Sequence, residues 1–156
     1  MRGPMNPEEN LAKLGLALPT IQPPLAAYVP TVRAGNLVYV AGQLPMVQGK
    51  LPKTGRLGET VSLEEGQQMA RQCVLNGLAA LKAEIGDLRK VRRVVRVGAF
   101  IACADTFADQ PKVANGGSEL LQQVFGDKGK HARAAVGTNA LPLGAPVEIE
   151  FLFEVE

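Results

Sequence analysis

Arg133 is a single charge in an otherwise apolar run, with Ala132 before it and Ala134, Ala135 and Val136 after it. A guanidinium presents a planar fork of donors and stays charged at any working pH, which suits a ligand carboxylate. The same residue would serve equally well as a solvent-facing charge on an edge strand, and these residues alone weigh the two roles evenly. Further along, Glu148 and Glu150 alternate with Val147, Ile149 and Phe151, which places both carboxylates on one strand face. Such a group can orient or deprotonate an attacking water. Glu154 and Glu156 continue the alternation, so a solvated strand face accounts for Glu150, whereas Glu148 leans towards chemistry. His131 lies two residues before Arg133 but follows the polar run Gly126-Asp127-Lys128-Gly129-Lys130. With no Ser or Cys nucleophile close by in sequence, it reads as a surface-loop histidine.

Other chemistries find little support. Cys73 and Cys103 are the only cysteines, far apart and outside any CxxC motif, and His131 is the only histidine. Neither a redox pair nor an imidazole-based metal site is indicated, and the cysteine usage fits a reducing compartment, here the cytoplasm. No Walker loop or GxGxxG fingerprint is present. The basic residues Arg89, Lys90, Arg92, Arg93 and Arg96 are the one hint of RNA. They lack the interleaved aromatics on which single-stranded bases stack, so they read as the solvated start of a strand. A net charge of +2 implies neither nucleic acid nor membrane as a partner. No apolar stretch follows Arg2 as in a secretory leader, and none approaches the ~20 residues of a membrane span.

The elements that must position these residues follow from periodicity and punctuation. With 156 residues, 46% hydrophobic and 21% charged, the chain suits one domain with one core. Residues 1–27 read as an N-terminal arm: a short helix over Asn6–Leu18, then an extended stretch through Pro19, Pro23, Pro24 and Pro30. Val29–Arg33 and Leu37–Gly42 read as strands around Ala34-Gly35-Asn36, the second apolar enough to be buried on both faces. Ser62 and Glu65 form a capping box, and the stripe Ala70, Cys73, Val74, Gly77, Leu78, Leu81 and Ile85 marks a helix ending at Gly86. Val91–Ile101 is a β-branched strand. A second helix runs from near Pro111 to Gly126 and buries Leu120, Leu121, Val124 and Phe125. The last strands are Ala132–Ala140 and Val147–Val155, joined by Leu141-Pro142-Leu143-Gly144. The order β-β-α-β-α-β-β predicts an α+β domain, with two helices on one face of a mixed sheet. Gly77 and Gly117 allow close helix–sheet approach. The other sheet face is too apolar for water, which predicts oligomerisation.

Three segments carry a resemblance. They are Tyr28 with Gly35–Pro45 (GNLVYVAGQLP), the glutamine-rich helix Glu64–Ala70 with Asn76, and Ala132–Val136 followed by Leu141-Pro142 and Val147-Glu148-Ile149-Glu150. From Tyr28 to the C-terminus the chain resembles the Rid (YjgF-like) family of enamine and imine deaminases, as a divergent branch with a longer N-terminal arm. The resemblance implies a chorismate-mutase-like fold for residues 28–156 and a homotrimer with clefts between subunits. It implies Arg133 as the holder of the substrate carboxylate and Glu148 as the residue near the hydrolytic water. Tyr28, Gly42 and Gln43 would line the cleft, and Asn115 stands where the family often has a polar cleft residue. Two positions depart from the family pattern: Ala41 replaces a serine just before Gly-Gln, and Ala135 replaces a cysteine two positions after the arginine. The first change removes a hydroxyl from the cleft, and the second leaves only backbone groups to position a ligand.

The expected activity is therefore hydrolysis of small 2-imino or 2-enamino acids to 2-keto acids and ammonia, with no metal or organic cofactor. The alternative is a non-catalytic protein that binds or senses a keto acid through Arg133, which Ala41 and Ala135 favour. Endoribonuclease activity, described for family members, is a distant third. Chorismate mutase activity is poorly supported, since a shared fold does not carry function.

Overall fold

A computed structural model describes residues 5–21 and 26–156. Arg2, Pro23 and Pro24, used in the sequence reading above, lie outside the described residues. Helix α1 (Pro7–Lys13) begins where Asn6 accepts from the Glu8 amide, with Pro7 in the first turn where its missing N–H costs nothing. It is shorter than the expected Asn6–Leu18, because the chain leaves the helix at Leu14-Gly15. Leu11 is buried, and Asn10 donates to the Val124 carbonyl across 2.8 Å.

Strands β1 (Thr31–Ala34) and β2 (Leu37–Gln43) form a hairpin. Helix α2 (Leu63–Ile85) starts at the predicted capping box: Ser62 accepts from the Glu65 amide, and the Glu65 carboxylate accepts in return from the Ser62 amide. Strand β3 (Val91–Ala102) leads to α3 (Gln110–Phe125), which crosses over to β4 (Ala132–Thr138). Strand β5 (Val147–Val155) then returns through the middle of the sheet. The spatial order is β1-β2-β5-β3-β4, with only the β3–β4 pair parallel, as a helical crossover requires. Helices α2 and α3 cover one face and α1 packs on α3, so three helices lie on a mixed five-stranded sheet. This is the expected α+β architecture with the short arm helix added.

The core lies between that sheet face and the helices. Val147, Ile149, Phe151, Phe153 and Val155 of β5 are buried against them, while the alternate residues point the other way. Gly77 is there because a Cβ at this position would lie 2.5 Å from the Phe151 ring of β5. One at Gly117 would first meet Val74 of α2 at 3.0 Å, so that glycine serves helix–helix approach before the expected helix–sheet approach. Among the described residues, none packs over the other sheet face as the helices do over the first. Across it, the pairing aligns Val32, Tyr39 and Leu152, while Glu148, Phe100 and Val136 make a second row. Strand β2 is thus buried on one face only: Val38 and Val40 are covered, but Tyr39 is 50% exposed. The apolar run signalled two faces to bury, and among the described residues only one of them is covered.

Candidate functional site

Between Val40 and Gln43 the β2–β5 register slips, so three residues of β2 span two of β5. This bulge brings the backbone of Gly42 against Glu148: a Cβ at Gly42 would sit 2.8 Å from Glu148 Oε1. A glycine is required there because any side chain would meet the carboxylate. Glu148 is half-buried, and its pKa is raised first by that burial and then by the like charge of Glu150. Glu150, on the same face, pairs with Arg96 at 3.3 Å, both half-exposed, in keeping with its reading as a surface group.

Gly42 and Gln43 also line a cavity of about 170 Å³, together with Tyr28, Asn76, and Pro19 and Ile21 of the arm. Asn76 fixes its floor by donating to the carbonyls of Leu44 and Met46, both at 3.0 Å, while accepting from Gln72. Gln43 donates to the Ala41 carbonyl at 2.9 Å. Tyr28, Gly42, Gln43 and Glu148 are therefore gathered at one end of β2. Ala41 is not in this cavity; it lines a separate groove on the open sheet face with Tyr39, Arg96 and Glu150.

Arg133 lies elsewhere. Its register partner is the buried Val97, so it emerges from the edge strand β4 on the helix side of the sheet, opposite to Glu148. Its Nη1 donates to Asn115 Oδ1 at 2.9 Å and to Ser118 Oγ at 3.1 Å, both on α3. Ala135, two residues on, is half-buried on the same side and packs against the core. The edge-strand charge is real, but a solvent-facing one it is not: α3 holds the guanidinium.

His131 proves to be no free loop residue. It is partly buried, with Nε2 2.9 Å from Ser118 Oγ and Nδ1 2.6 Å from the Gly129 carbonyl. Burial first, and the nearby Arg133 charge, hold its pKa below the usual 6.5. Ser118 is the residue that sequence reading missed. Its signal was the Asn115–Ser118 spacing of three, which puts two polar groups on one helix face beside an apolar stripe.

Both cysteines are buried and free, and burial pushes the Cys73 thiol well up, out of nucleophilic use. Among the described residues no three His, Cys, Asp or Glu side chains are grouped to hold a metal ion, and no helix is long and apolar enough to cross a membrane. The basic cluster is dispersed, since Arg89 pairs with Asp87 and Arg96 with Glu150.

Residues 8–155 match the family described as "YjgF/chorismate mutase-like, putative endoribonuclease". The chain belongs to the YjgF-like, or Rid, family. Protein TCP17 of Trypanosoma cruzi is 42% identical over 147 residues, covering 94% of this chain and 92% of that one. The crystal structure of Atu1372 from Agrobacterium tumefaciens, titled as of unknown function, superposes with a TM-score of 0.90 at 44% identity, covering 96% and 93% of the two chains. A relative named 2-iminobutanoate/2-iminopropanoate deaminase, from Dermatophagoides farinae, is 30% identical over 142 residues, covering 90% and 95%. The YjgF-like match spans all of these candidate residues, from Tyr28 to Glu148.

Proposed function

We propose that this YjgF-like protein hydrolyses small 2-imino and 2-enamino acids to 2-keto acids and ammonia, as a homotrimer with sites built between subunits. The observation that carries the reading is the division of the site. Glu148, Gly42, Gln43 and Tyr28 occupy one end of β2, while Arg133 projects from the far edge of the sheet on its other face. One copy cannot bring both groups to one small molecule. A second copy, its β4 edge set against the β2 end of the first, completes a pocket with a carboxylate anchor on one wall and a base on the other. The exposed Val32, Tyr39 and Val136 on the uncovered face of the sheet supply a reason for copies to associate.

In that pocket Arg133 holds the substrate carboxylate, and Glu148, whose raised pKa suits a base, takes a proton from water as its oxygen bonds to the imine carbon. The C=N π pair goes to nitrogen, which takes a proton, and the carbinolamine then collapses to C=O with loss of ammonia. An enamine first gains a proton at carbon to become the imine. The reaction is intrinsically easy, so orientation supplies most of what is needed, and no cofactor enters it. Ala41 and Ala135 add no polar side chain, and Ala41 faces another groove. The two buried free thiols support a reducing compartment such as the cytoplasm.

The test is ammonia and keto-acid release from imines generated in situ by an amino-acid oxidase, for wild type and Arg133→Ala, with sedimentation to fix the mass of each. The expected result is acceleration over water by a trimeric wild type and its loss in an equally trimeric variant. No acceleration with small, branched or aromatic imines overturns the deaminase reading. Keto-acid binding that depends on Arg133 would then stand as the protein's work.

A further inference from the structure

The contacts behind Arg133 form a chain that can run in only one direction. A guanidinium only donates, so Ser118 Oγ accepts from Arg133 Nη1 at 3.1 Å. At the other end a carbonyl only accepts, so His131 Nδ1 must carry the hydrogen bonded to Gly129 O at 2.6 Å. In the neutral ring, which burial favours, Nε2 is then bare and the Ser118 hydroxyl donates to it at 2.9 Å. Ser118 is the one polar residue in the buried set of the described chain, 7% exposed. A hydroxyl so placed without an acceptor would be costly. Asn115 Oδ1 takes the second Nη1 hydrogen at 2.9 Å and the Pro111 carbonyl accepts from Nη2 at a longer 3.4 Å, which leaves Nε and the second Nη2 hydrogen for a ligand.

We propose that Ser118 and His131 are positioning residues for Arg133, fixing the guanidinium through a relay anchored on the Gly129 carbonyl so that one edge is presented to a carboxylate. This rests on the reading of Arg133 as the carboxylate anchor. The relay has a spectroscopic signature. It requires the neutral Nδ1–H tautomer, whereas a free neutral imidazole favours Nε2–H. Burial and the Arg133 charge keep the ring neutral near pH 7, and His131 is the only histidine, so its ring nitrogens need no assignment.

Long-range proton–nitrogen NMR on the whole protein at neutral pH reads the tautomer directly. Binding of 2-oxobutanoate and imine turnover are then measured for Ser118→Ala, Ser118→Thr, His131→Phe and Arg133→Ala. Wild type is expected to show Nδ1–H; Ser118→Ala should keep that tautomer, held by the Gly129 carbonyl, while the bare Nε2 resonance shifts as it loses the hydroxyl's hydrogen bond. Ser118→Ala and His131→Phe should each raise KM and the keto-acid Kd about five- to tenfold, with kcat within about twofold, since ground and transition states lose the same contact. Ser118→Thr, which keeps the hydroxyl, should restore both. An Nε2–H ring in wild type overturns the relay. So does a Ser118→Ala protein that binds and turns over normally while Arg133→Ala does neither. If Arg133→Ala itself binds 2-oxobutanoate as wild type does, the anchor reading fails and this inference fails with it.

Discussion

Glu148 and Glu150 share a strand face, yet their surroundings differ. Glu150 has Arg96 beside it at 3.3 Å, in the open. Glu148 has the Gly42 backbone on one side, half its surface covered and Glu150 as a like-charged neighbour, so its pKa is raised above 4.5. As a base it works when deprotonated, so turnover should fall as pH drops through that raised value. Glu150→Gln removes the charge that helps raise it, and the acid limb of kcat/KM should move to lower pH. Glu148→Gln should lower kcat by about a hundredfold or more and remove that limb. A pH–rate series across the three proteins checks this, and an acid limb unmoved by Glu148→Gln would assign the base elsewhere. Arg133 stood out in the sequence as a lone charge in an alanine-rich run, but the residues alone weighed ligand anchor and surface charge evenly, and the resemblance was what favoured the anchor. Ser118 did not stand out, since a small hydroxyl residue beside an apolar helix stripe is usually tolerated rather than used. His131 was misread because its nearness to a polar loop outweighed the two-residue spacing that puts it on the Arg133 side of the chain.

At the scale of elements, the helix–sheet contact at Gly77 sets how close α2 lies to β5. That strand also carries Glu148 on its reverse side, so the contact bears on the site as well as on the core. Gly77→Ala should improve helix propensity by ~1 kcal/mol and still destabilise the fold. The added methyl would lie 2.5 Å from the Phe151 ring, and overpacking of this kind costs about 1–3 kcal/mol. Urea denaturation should show a lower midpoint with an unchanged slope; a midpoint at or above wild type would mean that the ring moves aside freely. The elements themselves were legible almost throughout. The capping box, the apolar stripe ending at Gly86, Pro111 at the start of α3 and the alternation in β5 each carry their own local physics. The bulge at Ala41-Gly42 was not legible, because it exists only relative to β5, more than a hundred residues away in the chain.

For the whole molecule, the sequence announced an excess of apolar strand surface but not its distribution. The run Leu37–Ala41 looked like a strand buried twice, and the fold buries it once, leaving Tyr39 and Val136, 46% exposed, on the uncovered side. Nor could the separation of Arg133 from Glu148 be read, since it depends on β5 and β3 lying between β2 and β4. In the trimer proposed above, that separation turns the site into two complementary halves contributed by different copies. Arg133→Ala and Glu148→Gln would then be alleles of one gene that rescue each other. Each variant alone is inert, but subunits co-expressed in one cell and mixed at random would restore an intact pairing at about a quarter of the interfaces. Deaminase activity recovered from two dead proteins, and absent when they are purified apart and assayed side by side without exchange, would locate the division of labour between subunits. A doubly substituted chain mixed with wild type should show no such gain beyond the wild-type share.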